Sequence, residues 1–335
     1  MNSVYIYKIQ NNIQDLIDRA FSLFEIDERL RKVGHVVIKP NIVSDVPEYI
    51  QNGCNTDIRV IEAIIANLNK RNVKVILGES DTGTKVKGRD LQRALSHMGI
   101  YELQKKYDFD IVNFSRDDEL VEVEIPKAKA LKSIKLPKTI LDSDLIINVP
   151  KLKTHKYTTM TCSLKNMFGV IPDPLRIKYH GHIHEVISDL NSLFYQKMFI
   201  VGDGITGMEG AGPLYGTPVD MNILFFADNP LAADIVAARI MGLTVDDIKY
   251  LVMFNEMYMG LDPDSVEIEG DNIGSIMRPF TKARKNWFIK FEGELMKHWF
   301  ITRIIFNDWI RKHITYRINP IIKKLRGGSY TWYDR

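Results

Sequence analysis

The chain has only two cysteines among 335 residues, Cys54 and Cys162, far apart and in no paired spacing. That excludes a disulfide scaffold, a four-cysteine zinc site and an intrinsic iron–sulfur cluster, and it fits a reducing cytoplasm. Long apolar runs are also missing: none reaches the roughly eighteen residues that span a bilayer. The start, Met1-Asn2-Ser3-Val4-Tyr5-Ile6-Tyr7, has no basic region leading into an apolar core, so no signal peptide is expected. No nucleic-acid motif occurs, and the body of the chain is acidic, so nucleic acid is not an expected partner.

What is present is ordinary for a soluble globular protein, with 45% hydrophobic and 26% charged residues. The length fits two domains, or one large domain with an appendage. The net charge of +3 hides an asymmetry. Residues 281–335 carry 13 Lys+Arg against 4 Asp+Glu, while residues 1–280 carry 32 against 38. All four tryptophans (Trp287, Trp299, Trp309, Trp332) lie in that last stretch. We therefore place boundaries to give an N-terminal lobe (1–125), a second lobe (126–275) and a basic, tryptophan-rich helical extension (276–335).

Short β-branched runs alternate with helical patterns. Residues 35–38 read as a strand ending in Lys39-Pro40-Asn41, and 57–70 as a helix capped by Thr56 or Asp57. Residues 73–77 are the next strand, ending in Gly78-Glu79-Ser80-Asp81, so the unit is βαβ with parallel strands. A helix over 90–106 and a strand near 110–114 extend it. A second set has strands at 145–148, 197–201 and 222–226, with helices over 184–195 and 232–241, the last closing at Gly242. The fold class is α/β, two lobes of parallel-sheet, Rossmann-like character with a helical C-terminal extension.

The densest chemistry is Asn148-Val149-Pro150-Lys151-Leu152-Lys153-Thr154-His155, followed ten residues past the histidine by Lys165-Asn166-Met167-Phe168-Gly169. It is expected to begin where the strand Leu145-Ile146-Ile147 ends, and ligands in open α/β sheets collect at strand carboxyl ends. His155 can exchange protons near pH 7, and a lysine in a partly dry cleft can act as nucleophile or hold an anion. The alternative is a solvated loop. His180-Gly181-His182-Ile183-His184 can present two imidazoles on one side, suiting zinc or nickel; the alternative is an exposed loop before a helix.

The segment Gly202-Asp203-Gly204-Ile205-Thr206-Gly207-Met208-Glu209-Gly210-Ala211-Gly212-Pro213 has five glycines, whose amides can hold an anion. It is neither a Walker loop nor a clean dinucleotide fingerprint, and the alternative is a shaped turn. Cys162 reads as a buried structural thiol. In the tail, Trp287, Phe291, Leu295, Trp299, Phe306 and Trp309 recur at helical steps among basic residues. Residues 281–326 then suit a membrane surface or an acidic protein partner; the alternative is packing on the chain's own domain or on another subunit in a homo-oligomer.

These pieces together resemble the family known as domain of unknown function 362. The resemblance rests on Val37-Ile38-Lys39-Pro40-Asn41, Asn55-Thr56-Asp57 and residues 75–80, 147–155, 163–169, 203–213 and 228–242, about 200 residues in the family's order. Many members carry a separate ferredoxin-like module; this chain lacks cluster cysteines. A second, more distant likeness is to nickel-pincer lactate racemases, through a histidine, a lysine ten residues on and a later histidine. It implies a nicotinate-derived nickel cofactor anchored on Lys165, His155 as acid/base, and His180 or His182 as nickel ligand. The stretch 157–164 departs from the glycine-rich spacing of that pattern.

The sequence-level expectation is an enzyme, an isomerase or oxidoreductase, acting on a small anionic metabolite in the cytoplasm or at a membrane periphery. His155 and Lys165 would be catalytic. Lys39, Asn41, Glu79, Ser80, Lys151, Lys153, Asn166, Gly204, Gly207, Gly210 and Gly212 would bind the anion. His180, His182, Asp203 and Glu209 would hold a divalent metal, nickel or zinc. The rivals are a non-catalytic docking module and an electron-transfer accessory to an external iron–sulfur partner.

Overall fold

The computed structural model describes residues 2–10, 12–31, 34–81, 90–173 and 176–284, with scattered positions between 291 and 321. The β-branched runs become strands buried on both faces, which is why they read as continuous apolar stretches. In chain order the strands are β1 (Ser3–Lys8), β2 (His35–Pro40), β3 (Lys74–Glu79), β4 (Asp110–Asn113), β5 (Leu120–Glu124) and β6 (Ser133–Pro137). Then come β7 (Leu145–Val149), β8 (Lys151–His155), β9 (Thr159–Thr161), β10 (Met198–Glu209), β11 (Thr217–Ala227) and β12 (Glu267–Gly270). All but the β5–β6 hairpin join one sheet of order β12-β1-β11-β10-β7-β2-β3-β4, with β8 and β9 attached beside β10.

The run from β10 through β7, β2 and β3 to β4 is parallel, and β11 and β1 add antiparallel pairings. The α/β class therefore holds, with a mostly parallel sheet. The two lobes do not each carry a sheet, however. β7, from the second proposed lobe, pairs with β2 from the first, and β1 pairs with β11, because their apolar faces share two cores. On one face, helices Ile13–Leu23 and Ile58–Leu68 pack Ile17, Phe21, Ile61 and Ile64 against Val36, Ile38, Val75 and Leu77. On the other, helices Ile183–Asn191 and Pro230–Ile240 cover Val37, Ile76, Ile146 and Ile200. Strand alternation divides neighbours such as Val36 and Val37 between the two.

Local signals mostly land where the residues put them. Asp57 caps its helix by accepting from the Arg59 N–H at 2.9 Å, and Gly242, at φ +64, closes the helix that ends at Ile240. The helix expected over 90–106 is split into Leu91–His97 and Ile100–Leu103 by Gly99 at φ +79.

Two corrections concern the site segments. Pro150 interrupts the backbone ladder, yet the chain resumes at once as β8, so Lys151–His155 is a buried strand rather than a polar strand end. The glycine-rich segment is likewise the second half of β10 as far as Glu209, and only Gly210 to Pro213 leave the strand as a turn. Gly202 sits in register with Phe225, whose ring occupies the space a Cβ would need. Gly204 faces Ile223 and Leu152, and Gly207 faces Phe280, in the same way. Those glycines admit neighbouring side chains.

Most of the tail, including Trp287, Trp299, Phe306, Trp309 and Trp332, lies outside the described residues. Where it is described, Met296 is buried with its carbonyl against Gly181, while Phe291, Phe300, Ile304 and Ile321 are exposed. Among the described residues no helix is long and apolar enough to cross a membrane.

Candidate functional site

Alternation along β8 sends Lys151, Lys153 and His155 to one side and Leu152 and Thr154 to the other. Lys153 reaches Asn41 just past the end of β2, His155 feels the charge of Lys165 on the short buried turn Ser163–Asn166, and Lys151 turns instead to Asp203 of β10. An asparagine chain ties these pieces together. Asn166 Nδ2 donates to Asn148 Oδ1 at 2.7 Å and to the Lys39 carbonyl at 3.1 Å. Asn41 Nδ2 donates to Asn166 Oδ1 at 2.9 Å, and Asn41 Oδ1 accepts from Lys153 Nζ. Asn148 Nδ2 donates to the Ser163 carbonyl at 3.0 Å. The other end of the same turn is held by Asp234, a buried carboxyl accepting from the Ser163 N–H at 2.6 Å and the Leu164 N–H at 3.1 Å. Burial pushes Asp234 up to about 7.

Five buried or half-buried cations converge on this region, and they are not treated alike. Lys39 is paired with Glu79 at 2.6 Å, and Lys151 with Asp203 at 3.0 Å. Lys153, Lys165 and Arg176 have no carboxylate within ion-pair distance among the described residues. Lys153 Nζ donates to Asn41 and to the Cys54 carbonyl at 2.6 Å, and burial lowers it to about 7. Arg176 donates to the carbonyls of Gly169 (3.2 Å), Ile171 (2.9 Å) and Asp81. Lys165 makes no hydrogen bond to a described residue. Its ammonium lies 5.6 Å from the centre of the Phe168 ring, and desolvation, then the Arg176 charge, lower it to about 8.

His155 is beside them and is held neutral. Burial comes first among the causes and the Lys165 charge second, and together they push its imidazole well below the ordinary range. Its tautomer follows from the backbone. Nδ1 accepts the Tyr157 N–H at 3.1 Å and the Thr158 N–H at 3.3 Å, so in the neutral ring the proton is on Nε2. His155 thus offers an N–H donor and not a free base. Tyr157 stacks edge-on with His180 at 5.6 Å, and His180 meets Phe168 at 5.6 Å, which completes a rim around Lys165.

His155 and Lys165 therefore come together with Lys153, Asn41 and Asn166. Lys39, Glu79 and Ser80 lie under them: a Cβ on Gly169 would touch Glu79 and Lys39, and Ser80 Oγ donates to the Ile171 carbonyl at 3.2 Å. Lys151 belongs to its own ion pair on the Asp203 side. Gly204 and Gly207 are packing positions in β10. Gly210 and Gly212 border Thr154, the former through its carbonyl at 3.0 Å from Thr154 Oγ1.

The metal set does not assemble. Among the described residues no three His, Cys, Asp or Glu side chains gather as a metal cluster. Asp203 is occupied by Lys151 and by the Asp57 N–H at 2.7 Å, Glu209 accepts the Thr281 N–H at 2.8 Å, and His182 lies 3.4 Å from the Lys297 carbonyl. Of the four, only His180 reaches the Lys165 region. A lysine-anchored group needing one histidine would find Lys165 and His180 both against Phe168; a metal bound by protein side chains alone would not find its ligands among the described residues. Arg176 and Asp234 were not anticipated. Asp234 had a signal, an acidic residue inside the apolar helix stretch Leu231-Ala232-Ala233-Asp234-Ile235-Val236, whereas Arg176 had none.

Comparison with known proteins places the chain. A thylakoid-associated protein of Synechocystis sp. is 25% identical over 240 residues, 70% of each chain. Among solved structures, the lactate racemase apoprotein from Thermoanaerobacterium thermosaccharolyticum aligns at TM-score 0.44 and 13% identity, over 72% of this chain and 57% of that one. A protein from Thermotoga maritima aligns at 0.37 and 12%, over 74% and 58%. These two likenesses are too weak to assign chemistry. Residues 36–239 match the family described as domain of unknown function (DUF362), and the chain belongs to that family.

Proposed function

We propose that the protein is an enzyme moving a proton on a small anionic metabolite, with Lys165 as base and His155 as hydrogen-bond donor. The supporting observation is the pairing of Lys153, Lys165 and Arg176, none of them in an ion pair among the described residues, with a histidine whose proton is confined to Nε2. Arg176, joined by Lys153 and Lys165 in their protonated forms, supplies a positive field that a carboxylate would neutralise. A neutral amine at Lys165 can accept the proton next to that carboxylate, and the Nε2–H of His155 can stabilise the oxygen on which charge develops. This reverses the role the sequence suggested for the histidine. Should a lysine-anchored nickel group be carried, Lys165 and His180 would hold it, and it would supply hydride acceptance.

Because the base must be unprotonated, turnover should rise with pH and level off above about 8, where Lys165 loses its proton. The measurement is exchange of a C–H hydrogen for deuterium, followed by proton NMR, at C2 of a panel of 2-hydroxy and 2-amino acids and at C3 of 2-oxo acids. Exchange falling with rising pH would contradict the assignment of base. No exchange anywhere, with no anion raising the Tm, would end the reading.

A second reading has its own support: a thylakoid-associated relative, and exposed Phe291, Phe300, Ile304 and Ile321 within the basic tail. Peripheral attachment to an anionic membrane would follow, and truncation after residue 280 should abolish co-sedimentation with phosphatidylglycerol vesicles. Equal sedimentation of both forms would count against it.

A further inference from the structure

Lys165 is placed for more than accepting a proton. A base is commonly held by a hydrogen bond that aims it, and Lys165 has none among the described residues. Its nitrogen instead sits above the Phe168 ring, on a turn gripped from both ends by Asp234 and the asparagine chain. A desolvated amine next to a fixed guanidinium is the arrangement that keeps a lysine nucleophilic near neutral pH. Beside it stands an imidazole whose one ring proton is on Nε2, a donor suited to a carbonyl oxygen under attack.

We propose that Lys165 forms an imine with the carbonyl carbon of a small 2-oxo acid, the Arg176 guanidinium facing the substrate carboxylate. This rests on the reading that Lys165 and His155 face one anionic substrate, and it names the class of that substrate. The Nζ lone pair forms the N–C bond while the C=O π pair moves to oxygen, which the His155 Nε2–H stabilises. Water carries a proton from the new ammonium to that oxygen. A second proton, taken from solvent, protonates the hydroxyl; the C–O bond breaks, water leaves, and the nitrogen lone pair closes the C=N+ bond. Nothing is oxidised or reduced. The iminium draws electron density from the neighbouring carbon, whose C–H becomes acidic.

The test uses the purified full-length protein with pyruvate, glyoxylate or oxaloacetate as probes and borohydride as trap, read by intact mass and peptide mapping. One reduced adduct per chain on Lys165 is expected, with none in K165R of unchanged Tm. Acetone, which lacks the carboxylate, should label at least about tenfold less, and R176K should lower the yield with pyruvate by a similar factor. No adduct with any of the three acids, adducts spread over other lysines, or a Lys165 already modified in the native protein would each overturn the proposal. The two readings fail separately. If the acids raise the wild-type Tm but not that of K165M, and no adduct forms, the anion site stands and the imine falls. If there is neither a Tm rise nor an adduct, both fall.

Discussion

Replacing Lys165 with methionine is expected to raise the Tm of the ligand-free protein while abolishing turnover. A partly desolvated ammonium beside a guanidinium, with no carboxylate among the described residues to pair it, is a net cost to the folded state. Methionine fills a similar volume and packs well against Phe168. The half-buried position leaves the ammonium some hydration, so the gain should be on the order of 1 kcal/mol, about 2 °C for a chain of this size. The sign of its pH dependence is also set. Because the folded pKa lies below the unfolded one, the penalty is full below about 8 and fades as pH rises towards the ordinary lysine value. The excess stability of K165M over wild type should therefore shrink between pH 8 and 10.5. Turnover should fall by about a thousandfold, the usual weight of a general base. A variant less stable than wild type across that window would mean that Lys165 is a structural cation, and the site would lose its central residue.

Much of this centre is legible in the chain before any fold is known. Lys39 and Glu79 each follow a β-branched run that sits in a βαβ unit, and parallel strands must end at the same edge, so their proximity is a consequence of topology. The ten-residue step from His155 to Lys165 is harder to read. It crosses a hairpin into β9 and then a buried turn, and nothing in spacing says that both ends return to one place. What brings them back is the asparagine chain from Asn148 to Asn166 and the Asp234 cap, contacts between residues 18 and 70 positions apart.

The glycines were misread for a specific reason. Glycine is a poor strand former, so five of them suggest a loop. Here three of them, Gly202, Gly204 and Gly207, are opposite Phe225, Ile223 and Phe280, which need the room; for the first two, only the register of β10 against β11 reveals it. Asp203 was misassigned in the same way. An acidic residue between two glycines looks like a cation ligand until the lysine that neutralises it is seen, 52 positions away in sequence but 3.0 Å away in space.

That lysine carries the largest stability prediction. Lys151 and Asp203 are both essentially excluded from water and lie 3.0 Å apart. Asp203 also accepts from the Asp57 N–H at the start of helix Ile58–Leu68 and from the Ile205 N–H at 3.0 Å, where β10 changes register. Lys151→Met leaves that carboxylate buried with two amides but without its lysine, and should cost about 3–5 kcal/mol, a fall in Tm of roughly 4–7 °C. Asp203→Asn alone strands the ammonium and loses one of the amide acceptors, with a loss of the same order. The double variant K151M/D203N removes both charges, so its loss should be smaller than the two single losses added, by about 1–3 kcal/mol of coupling. Thermal unfolding of the four proteins closes the cycle. Additive losses would mean that the two charges do not stabilise each other, and Asp203 would again be available for a different partner.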